Sequence, residues 1–394
     1  MPRLVRIVTR TYPPDVGAAP FRLRALARAL VARGAEVEVL TARPPAAAPG
    51  DEPADAGVRV LRAPVLRDGD GAVRGYLPYL SFDVPALARQ LGGRRPDVVV
   101  HEPPPTTGLA VRAAGALRGV PYVSYVPDVW SLGAAAAGAP APVLRALRVA
   151  EGAALRGAAA VLAVTAGMAE EVRRAGVGAG RVHVVGNGVD TDVFAPAAGT
   201  PGTGPGLVAV YSGTMSEWQR AEVFVRAVAL LRAEGRDVRL TMVGAGVDAA
   251  RLRDLAARVA PDAVRLPGQV PARRAAELLA GADVALASLV PGSGYDLMAP
   301  TKVAAAAACG TPVLFAGAGA GREAVLAGDL GAVCAHDPAA VAAALRSWAR
   351  PDAAARARLR EWALRHGSLA AAADRAADVV LAAATGARGR GSGA

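Results

Sequence analysis

Short apolar runs rich in β-branched residues alternate along this chain with longer segments whose apolar residues recur at helical spacing. Each run predicts a buried strand, and each longer segment predicts an amphipathic helix. Strands that alternate with helices form parallel sheets with helices on both faces, so the pattern predicts an α/β fold. The first half contains a predicted helix over 18–33 and five predicted strands: 4–9, 36–41, 97–100, 121–126 and 159–164.

The alternation starts again in the second half, which indicates a second domain of the same type. Its predicted helix covers 222–234, and its predicted strands cover 207–212, 238–243, 264–266, 284–287 and 312–315. A run rich in Pro, Gly and Thr at 196–205 has the composition of a linker. We therefore predict two Rossmann-like domains, over 1–196 and 206–372, followed by a C-terminal helix and a disordered tail over 373–394. Two such domains facing each other would form a cleft at the carboxyl ends of their strands.

The net charge of the chain is +11 and is spread evenly, with +6 in residues 1–196 and +5 in the remainder. An even positive charge without a basic block does not indicate nucleic-acid binding. It suits anionic small ligands and permits peripheral contact with an anionic membrane. Two cysteines do not make a disulfide framework, and the N-terminus lacks the apolar run of a signal peptide. With no evident membrane span or basic amphipathic helix in the sequence, we predict a cytoplasmic protein.

Glycine-containing loops follow the first predicted strand of each half. In the first half, the loop YPPDVGAAP at 12–20 leads into a helix, and its backbone amides around Gly17 could bind an anion. A plain strand–helix connection fits this loop equally well. Arg22 follows in that helix, where a solvated face is the preferred interpretation. In the second half, the segment YSGTMSEWQR contains Gly213, which allows a ligand to approach the backbone closely, and ends at Arg220.

Lys302 is the only lysine among the 45 basic residues, and it lies near the start of a predicted Ala-rich helix. A cation at a helix N-terminus opposes the helix dipole, which costs about 0.3 kcal/mol or more. An anion bound between the ammonium group and the helix N-terminus would remove this conflict. We therefore interpret Lys302 as an anion-binding residue.

His101 and Asp128 come at the carboxyl ends of predicted strands and are candidate catalytic residues. His101 fits a neutral loop histidine as well, and Asp128 could orient a sugar hydroxyl, act as a base or cap a helix. The scattered His and Cys residues show no metal-ligand spacing, so we predict no metal. Without a G-x-G-x-x-G motif we also predict no nicotinamide or flavin cofactor. The dipeptide Asn187–Gly188 predicts a structural turn.

The order of these motifs resembles that of the GT-B retaining glycosyltransferases of family 4, from Arg6 to about Arg350. The segments YPPDVGAAP, PDVVV with its histidine, VPYVSYVPDVW, VVGNGVDTDVF, YSGTMSEWQ, MVGAG and LPGQVP occur in the order of that family. The resemblance implies a nucleotide-diphosphate-sugar co-substrate held mainly by the second domain. It implies a glycan, lipid-linked or natural-product acceptor held mainly by the first. It also implies that cationic side chains and backbone amides, in place of a metal, neutralise the diphosphate.

Carried over by position, the resemblance implies that five residues surround the donor: Gly17, Gly213, Arg220, Lys302 and Glu323. Arg220 and Lys302 would stabilise the departing diphosphate, where negative charge develops. Asp128 or His101 would position the sugar or the acceptor. The implied reaction is glycosyl transfer with retained anomeric configuration.

Two glutamates that the family usually carries are replaced here by Leu297 and Ala305. The second of them usually binds the nucleotide ribose. This departure keeps a second interpretation open, in which the chain is a non-catalytic GT-B partner or activator of another transferase. A sugar-nucleotide epimerase of the same fold and a membrane-surface enzyme with a lipid-linked acceptor are further alternatives.

Overall fold

A computed structural model of the chain describes residues 2–15, 17–45, 55–67, 73, 76–197, 204, 206–298 and 301–391. The chain forms two compact units, one of Met1–Gly186 with Ala372–Ala394 and one of Asn187–Ala371. Each unit contains one parallel sheet with intervening helices, so the predicted α/β fold with two Rossmann-like domains is confirmed. None of the helices in the described part of the chain has the length and apolar character needed to span a bilayer.

The sheet of the first unit has its first strand near the centre. The strands are β1 (Leu4–Val8), β2 (Glu36–Ala42), β3 (Val58–Ala63), β4 (Val98–His101), β5 (Tyr122–Val126), β6 (Ala160–Ala163) and β7 (Val182–Val184). Their order across the sheet is β3-β2-β1-β4-β5-β6-β7, and all neighbours are parallel. Every residue of β1, β4, β5 and β6 is buried. Because both faces of a parallel sheet are covered, these strands are mainly apolar, and their polar residues Arg6, His101 and Ser124 are buried as well.

Helices connect the successive strands of this sheet. They are α1 (Ala18–Ala32), α2 (Tyr76–Gly92), α3 (Pro105–Arg118), α4 (Trp130–Ala136), α5 (Ala141–Gly157) and α6 (Ala166–Arg174), with a short 3-10 helix at Ala179–Arg181. In α1, Leu23, Leu26 and Leu30 lie at helical spacing and are fully buried. This spacing gives α1 one continuous apolar face, which packs on the sheet.

The second unit repeats this plan with six parallel strands. They are β8 (Leu207–Ser212), β9 (Val238–Val243), β10 (Val264–Gly268), β11 (Val284–Leu289), β12 (Val313–Gly317) and β13 (Gly331–Cys334), in the order β10-β9-β8-β11-β12-β13. The helices are α7 (Glu222–Ala233), α8 (Ala249–Val259), α9 (Ala272–Ala280), α10 (Thr301–Ala308), α11 (Ala320–Ala327), α12 (Pro338–Arg346) and α13 (Ala353–His366).

The strand order of each sheet reverses beside its first strand. The reversal lies between β1 and β4 in the first unit and between β8 and β11 in the second. In open α/β sheets, ligands bind outside the carboxyl ends of the strands at this switch point. The loops that follow these four strands are therefore where a functional site is expected.

The sequence failed to predict β3, β7 and β13, and each of these is an edge strand of its sheet. The four residues of β13 are exposed or only partly buried, and β7 contains a single buried residue. Edge strands need less apolar surface than central ones, so their sequences lack the continuous apolar run that marks the others.

The last helix is α14 (Leu369–Gly391), and the predicted division of residues 373–394 into a helix and a disordered tail stays a prediction. The part of this helix from Ala372 belongs to the first unit. There the Arg375 guanidinium donates to the Val185 carbonyl oxygen at 2.7 and 2.9 Å. Packing fixes these early turns, after which each further residue adds one backbone hydrogen bond. The predicted boundaries at 196 and 206 stay predictions, and the linker residues 198–203 and 205 lie outside the described residues.

The predicted turn at Asn187–Gly188 pairs with the segment before α14. Val189 N donates to the Gly367 carbonyl oxygen at 2.9 Å, and Leu369 N donates to the Val189 carbonyl oxygen at 2.9 Å. A Cβ atom on Gly188 would lie 2.2 Å from the Gly367 oxygen. The glycine is required here by the close approach of two backbones.

We therefore expect Gly188→Ala to lower the free energy of unfolding by about 1–3 kcal/mol, because one of the two backbones must move. Urea unfolding would measure this. Gly180→Ala is the matched control, because a Cβ atom there meets nothing within 4 Å, and its effect should stay below about 0.5 kcal/mol. Equal effects for the two variants would contradict the steric explanation.

Candidate functional site

Lys302 lies in the first turn of α10, beside the loop that follows β8. Its Nζ donates to the Thr214 carbonyl oxygen at 3.2 Å and lies 4.8 Å from the centre of the Tyr211 ring. Burial lowers the pKa of Lys302 to about 7. Among the described residues, no carboxylate is in ion-pair contact with this ammonium group. The structure thus holds a half-buried lysine at the switch-point end of the second sheet.

Gly213 makes room for this lysine. The residue has a φ of 133°, and a Cβ atom on it would lie 2.5 Å from Lys302 Cε. Gly244, which follows β9, lies against the backbone of Gly213. A Cβ atom added to Gly244 would lie 2.0 Å from the Gly213 carbonyl oxygen. Two glycine loops therefore pack backbone against backbone, and Lys302 occupies the space that a side chain at position 213 would fill.

Arg220 and Glu323 lie in the same unit, but Arg220 has a different partner. The Arg220 guanidinium is 3.2 Å from Glu222, whose carboxylate also contacts Arg251. Glu323 lies in the first turn of α11 and is exposed. The structure thus brings Lys302 and Gly213 together, whereas an acidic partner already offsets the charge of Arg220.

Several residues that sequence reasoning missed fix the loop after β8. The Tyr211 hydroxyl is 2.7 Å from the Thr214 carbonyl oxygen and 2.7 Å from Gln219 Oε1. The Gln219 carbonyl oxygen accepts from Ser288 Oγ at 2.8 Å and lies 3.1 Å from His336 Nε2. Of these, only Tyr211 and Gln219 carried a sequence signal, since both lie in YSGTMSEWQR.

Ala305, at one of the two positions where the family usually carries glutamate, lies within α10 and is 6% exposed. Its methyl group belongs to the apolar core that contains Val303, Phe315 and Val325. This position supplies no polar group to a ligand.

In the first unit, a buried ion pair lies at the carboxyl end of β4. Arg22 Nη2 and Nε lie 2.5 and 2.9 Å from Glu102 Oε1, and both side chains are almost fully buried. The Arg22 guanidinium also lies 5.2 Å from the centre of the Tyr125 ring. The interpretation of Arg22 as a solvated residue is therefore wrong. Periodicity could not reveal its partner, because Glu102 is 80 residues away in the sequence.

Asp128 follows β5 at the same edge of the sheet. Its Oδ1 atom is buried and has no hydrogen-bond partner among the described residues. Burial raises the pKa of Asp128, and the nearby Glu151 carboxylate acts in the same direction, whereas Arg22 opposes both. An unpaired, buried carboxylate oxygen can accept a hydrogen bond from a ligand hydroxyl or amine.

His101, the last residue of β4, points into the core instead. Its Nε2 is 2.8 Å from Ser124 Oγ, and its Nδ1 is 3.3 Å from the Glu102 carbonyl oxygen. Burial lowers the pKa of His101 to about 4, so the ring is neutral at pH 7. This placement fits a role in packing. Gly17 is the N-cap residue of α1 and ends the loop that follows β1.

Arg10, two residues after the end of β1, is a further residue that the sequence did not single out. Its guanidinium carbon lies 4.3 Å from the centre of the Tyr79 ring and 5.7 Å from that of Trp130. Arg10, Glu102 and Asp128 thus follow the three neighbouring strands β1, β4 and β5. In the described part of the chain, no three His, Cys, Asp or Glu side chains lie close enough together to hold a metal ion.

Comparison with known proteins identifies the family to which this chain belongs. Residues 17–188 match the model of the glycosyl transferase 4-like domain, and residues 206–350 match that of glycosyl transferases group 1. A D-inositol 3-phosphate glycosyltransferase from Pseudarthrobacter chlorophenolicus is 31% identical over 80% of this chain and 78% of its own length. The chain is a GT-B glycosyltransferase of family 4.

Solved structures of similar fold cover nearly all of this glycosyltransferase. Sucrose-phosphate synthase from Thermosynechococcus elongatus matches 96% of the chain and 98% of its own, with a TM-score of 0.75 and 19% identity. Anabaena HepE, solved in complex with UDP-glucose, matches 96% of the chain and 99% of its own, with a TM-score of 0.67 and 16% identity. At these identities the likeness shows the fold.

The Arg22–Glu102 pair generates a prediction about stability. Glu102→Ala should lower the free energy of unfolding by about 3–5 kcal/mol, because it leaves a buried guanidinium without its counter-charge. Denaturant unfolding measures the effect. Glu36→Ala is the control: it breaks an exposed pair with Arg94 at a similar distance of 2.8 Å, and should cost at most about 1 kcal/mol. A loss for Glu102→Ala no larger than that of the control would contradict this view of the pair.

Proposed function

We propose that this glycosyltransferase moves a sugar from a nucleoside-diphosphate sugar to a hydroxyl or amine of a glycan or small-molecule acceptor, with retention of configuration and without a metal. The observation that carries the proposal is the Lys302 ammonium group, held against the Gly213–Thr214 backbone without an acidic partner in the described residues. A half-buried lysine at a switch point is suited to bind a diphosphate.

The chemistry of the donor site follows from where charge develops. When the bond between the sugar and the diphosphate breaks, negative charge grows on the leaving oxygen. Lys302 would stabilise that charge, and because it is already positioned, little reorganisation is needed at the moment of reaction. The binding of UDP-glucose by HepE, a protein of the same fold, supports a nucleotide-sugar donor. In this proposal the lysine supplies the positive charge that a metal supplies elsewhere.

The acceptor is assigned to the first unit. The unpaired Asp128 Oδ1 would accept a hydrogen bond from the acceptor hydroxyl or from the sugar. The buried Arg22–Glu102 pair would hold the loop ends of β4 and β5 in place behind it. In the retaining step, the acceptor oxygen forms the new glycosidic bond on the face from which the diphosphate departs. The acceptor proton passes to the departing diphosphate oxygen, so the protein needs no separate base.

The test is a thermal-shift and calorimetric comparison of common nucleotide sugars with and without a chelator. One of them should bind equally well in both conditions, and Lys302→Met should weaken its binding by about 1.5–3 kcal/mol, or roughly ten- to hundredfold. Lys302→Arg tests whether charge alone is sufficient. The free Lys302→Met protein should be at least as stable as the wild type, because burying an ammonium group without a counter-charge is costly.

Two outcomes would overturn parts of this proposal. Failure of every nucleotide sugar to bind would exclude the donor site, and binding that disappears with the chelator would exclude metal independence. Retention is tested separately, by NMR of the anomeric proton in the first product formed. Binding without turnover for any acceptor would favour the non-catalytic interpretation.

The pKa of Lys302, about 7 in the free protein, generates a pH prediction. A bound diphosphate favours the charged ammonium form, so binding raises this pKa and takes up a proton when the pH is above about 7. Affinity for the nucleotide sugar should therefore be highest below pH 7 and fall as the pH rises. Calorimetry in two buffers of different ionisation enthalpy measures the proton uptake. Lys302→Met should abolish the uptake, and an unchanged uptake in that variant would contradict the assignment.

A further inference from the structure

The exposed face of α5 forms a groove that contains cations and apolar side chains but no acidic one. Six residues line it: Ala141, Leu144, Arg145, Arg148, Val149 and Arg156. Most of them recur at intervals of three or four residues, so they share one side of the helix. The groove therefore presents three guanidinium groups beside an apolar floor.

The positive charge of this groove is not compensated. Within the described part of the chain, neither Arg145 nor Arg148 makes an ion pair. The one acidic residue of α5, Glu151, is turned away toward α4. Its two carboxylate oxygens accept from Trp130 N at 2.8 Å and Ser131 N at 3.3 Å. The acidic residue of the helix is thus used to cap α4. Arg156 donates to the Ala175 carbonyl oxygen at 2.9 Å, whereas Arg145 and Arg148 remain free to bind an external anion.

An uncharged segment adjoins the arginines. Residues 129–144 contain no charged side chain, and those at 135–138 and 140–143 are exposed. Val143 and Val149 are 38% and 63% exposed. In a chain in which 20% of residues are charged, an exposed run of Ala, Gly, Pro and Val beside unpaired arginines needs an explanation.

We propose that the α4–α5 surface, defined as residues 135–149 with Arg156, docks the protein on an anionic lipid bilayer. A bilayer offers phosphates for the arginines and, a few ångströms deeper, an apolar layer for the uncharged segment. Arginine side chains suit this boundary, because the methylene stem stays apolar while the guanidinium binds phosphate. The net charge of the chain permits such contact, and the structure assigns it to one surface.

Other partners fit this surface less well. A second copy related by two-fold symmetry would bring the same arginines face to face, which is repulsive. An acidic protein would neutralise the arginines but has no particular affinity for the exposed uncharged segment. The sequence did not reveal this helix as amphipathic, because Leu144 is the one large apolar side chain in the groove and the other apolar residues that line it are Ala141 and Val149.

The experiment is co-sedimentation of the full chain with vesicles of phosphatidylcholine alone or mixed with phosphatidylglycerol. We expect binding to the anionic vesicles, little binding to the neutral ones, and weaker binding at high salt. Arg145→Glu/Arg148→Glu should lower the partition coefficient by about tenfold or more. Val143→Ser/Val149→Ser, which leaves the charge unchanged, should also lower it, because apolar insertion contributes.

Arg253→Glu/Arg258→Glu is the matched control, since it makes the same change of net charge at two exposed positions of α8. Thermal unfolding must show that each variant is folded. Equal losses for the α5 and α8 variants would mean that only overall charge matters and would overturn the proposal. Absence of binding by the wild type would also overturn it. Self-association that disappears in the α5 variant would identify a second copy as the partner instead.

Discussion

All strand pairs in both sheets are parallel, and this constraint determines where the chemistry of the molecule can lie. Parallel strands bring their carboxyl ends to one edge, so loops that are distant in sequence become neighbours there. Arg10, Glu102 and Asp128 belong to three different loops and gather at one such edge. Lys302 and Gly213 gather at the other, although 88 residues separate the lysine from its partner Thr214.

Arg22 and Lys302, one in each unit, differ in how their positive charge is compensated. In the first unit, Arg22 is neutralised by Glu102, just as Arg6 is neutralised by Glu38 at 2.7 Å elsewhere in the same unit. Such pairs contribute order, because each ion fixes the position of the other. In the second unit, the partners of Lys302 within the described part of the chain are a carbonyl oxygen and an aromatic ring. A cation that the described protein residues leave unneutralised can bind an anion from outside, which is the role that we propose for Lys302.

The sequence predicted the central strands well and the buried polar residues poorly, for one physical reason. An apolar run in the sequence directly indicates a buried strand. Strands such as β8 and β9 were therefore predicted with the bounds that the structure shows. Lys302 was found because a lysine is rare here and conflicts with the dipole of its helix. Arg22 was missed because an arginine is buried only when a partner distant in sequence neutralises it. The packing of α14 on the first unit was not predicted, because local composition does not show which distant segment a helix contacts.

The path of the chain through the two units has a consequence for synthesis. The second unit is continuous from Asn187 to Ala371, whereas the first consists of its first 186 residues and the segment from Ala372. Within that segment, Ala376, Ala377 and Val380 are fully buried, and Asp374 and Asp378 bind Arg33. During translation the N-terminal part of the first unit therefore lacks α14, and the residues that α14 covers stay exposed until the whole second unit has been synthesised. The unit that begins first on the ribosome is completed last.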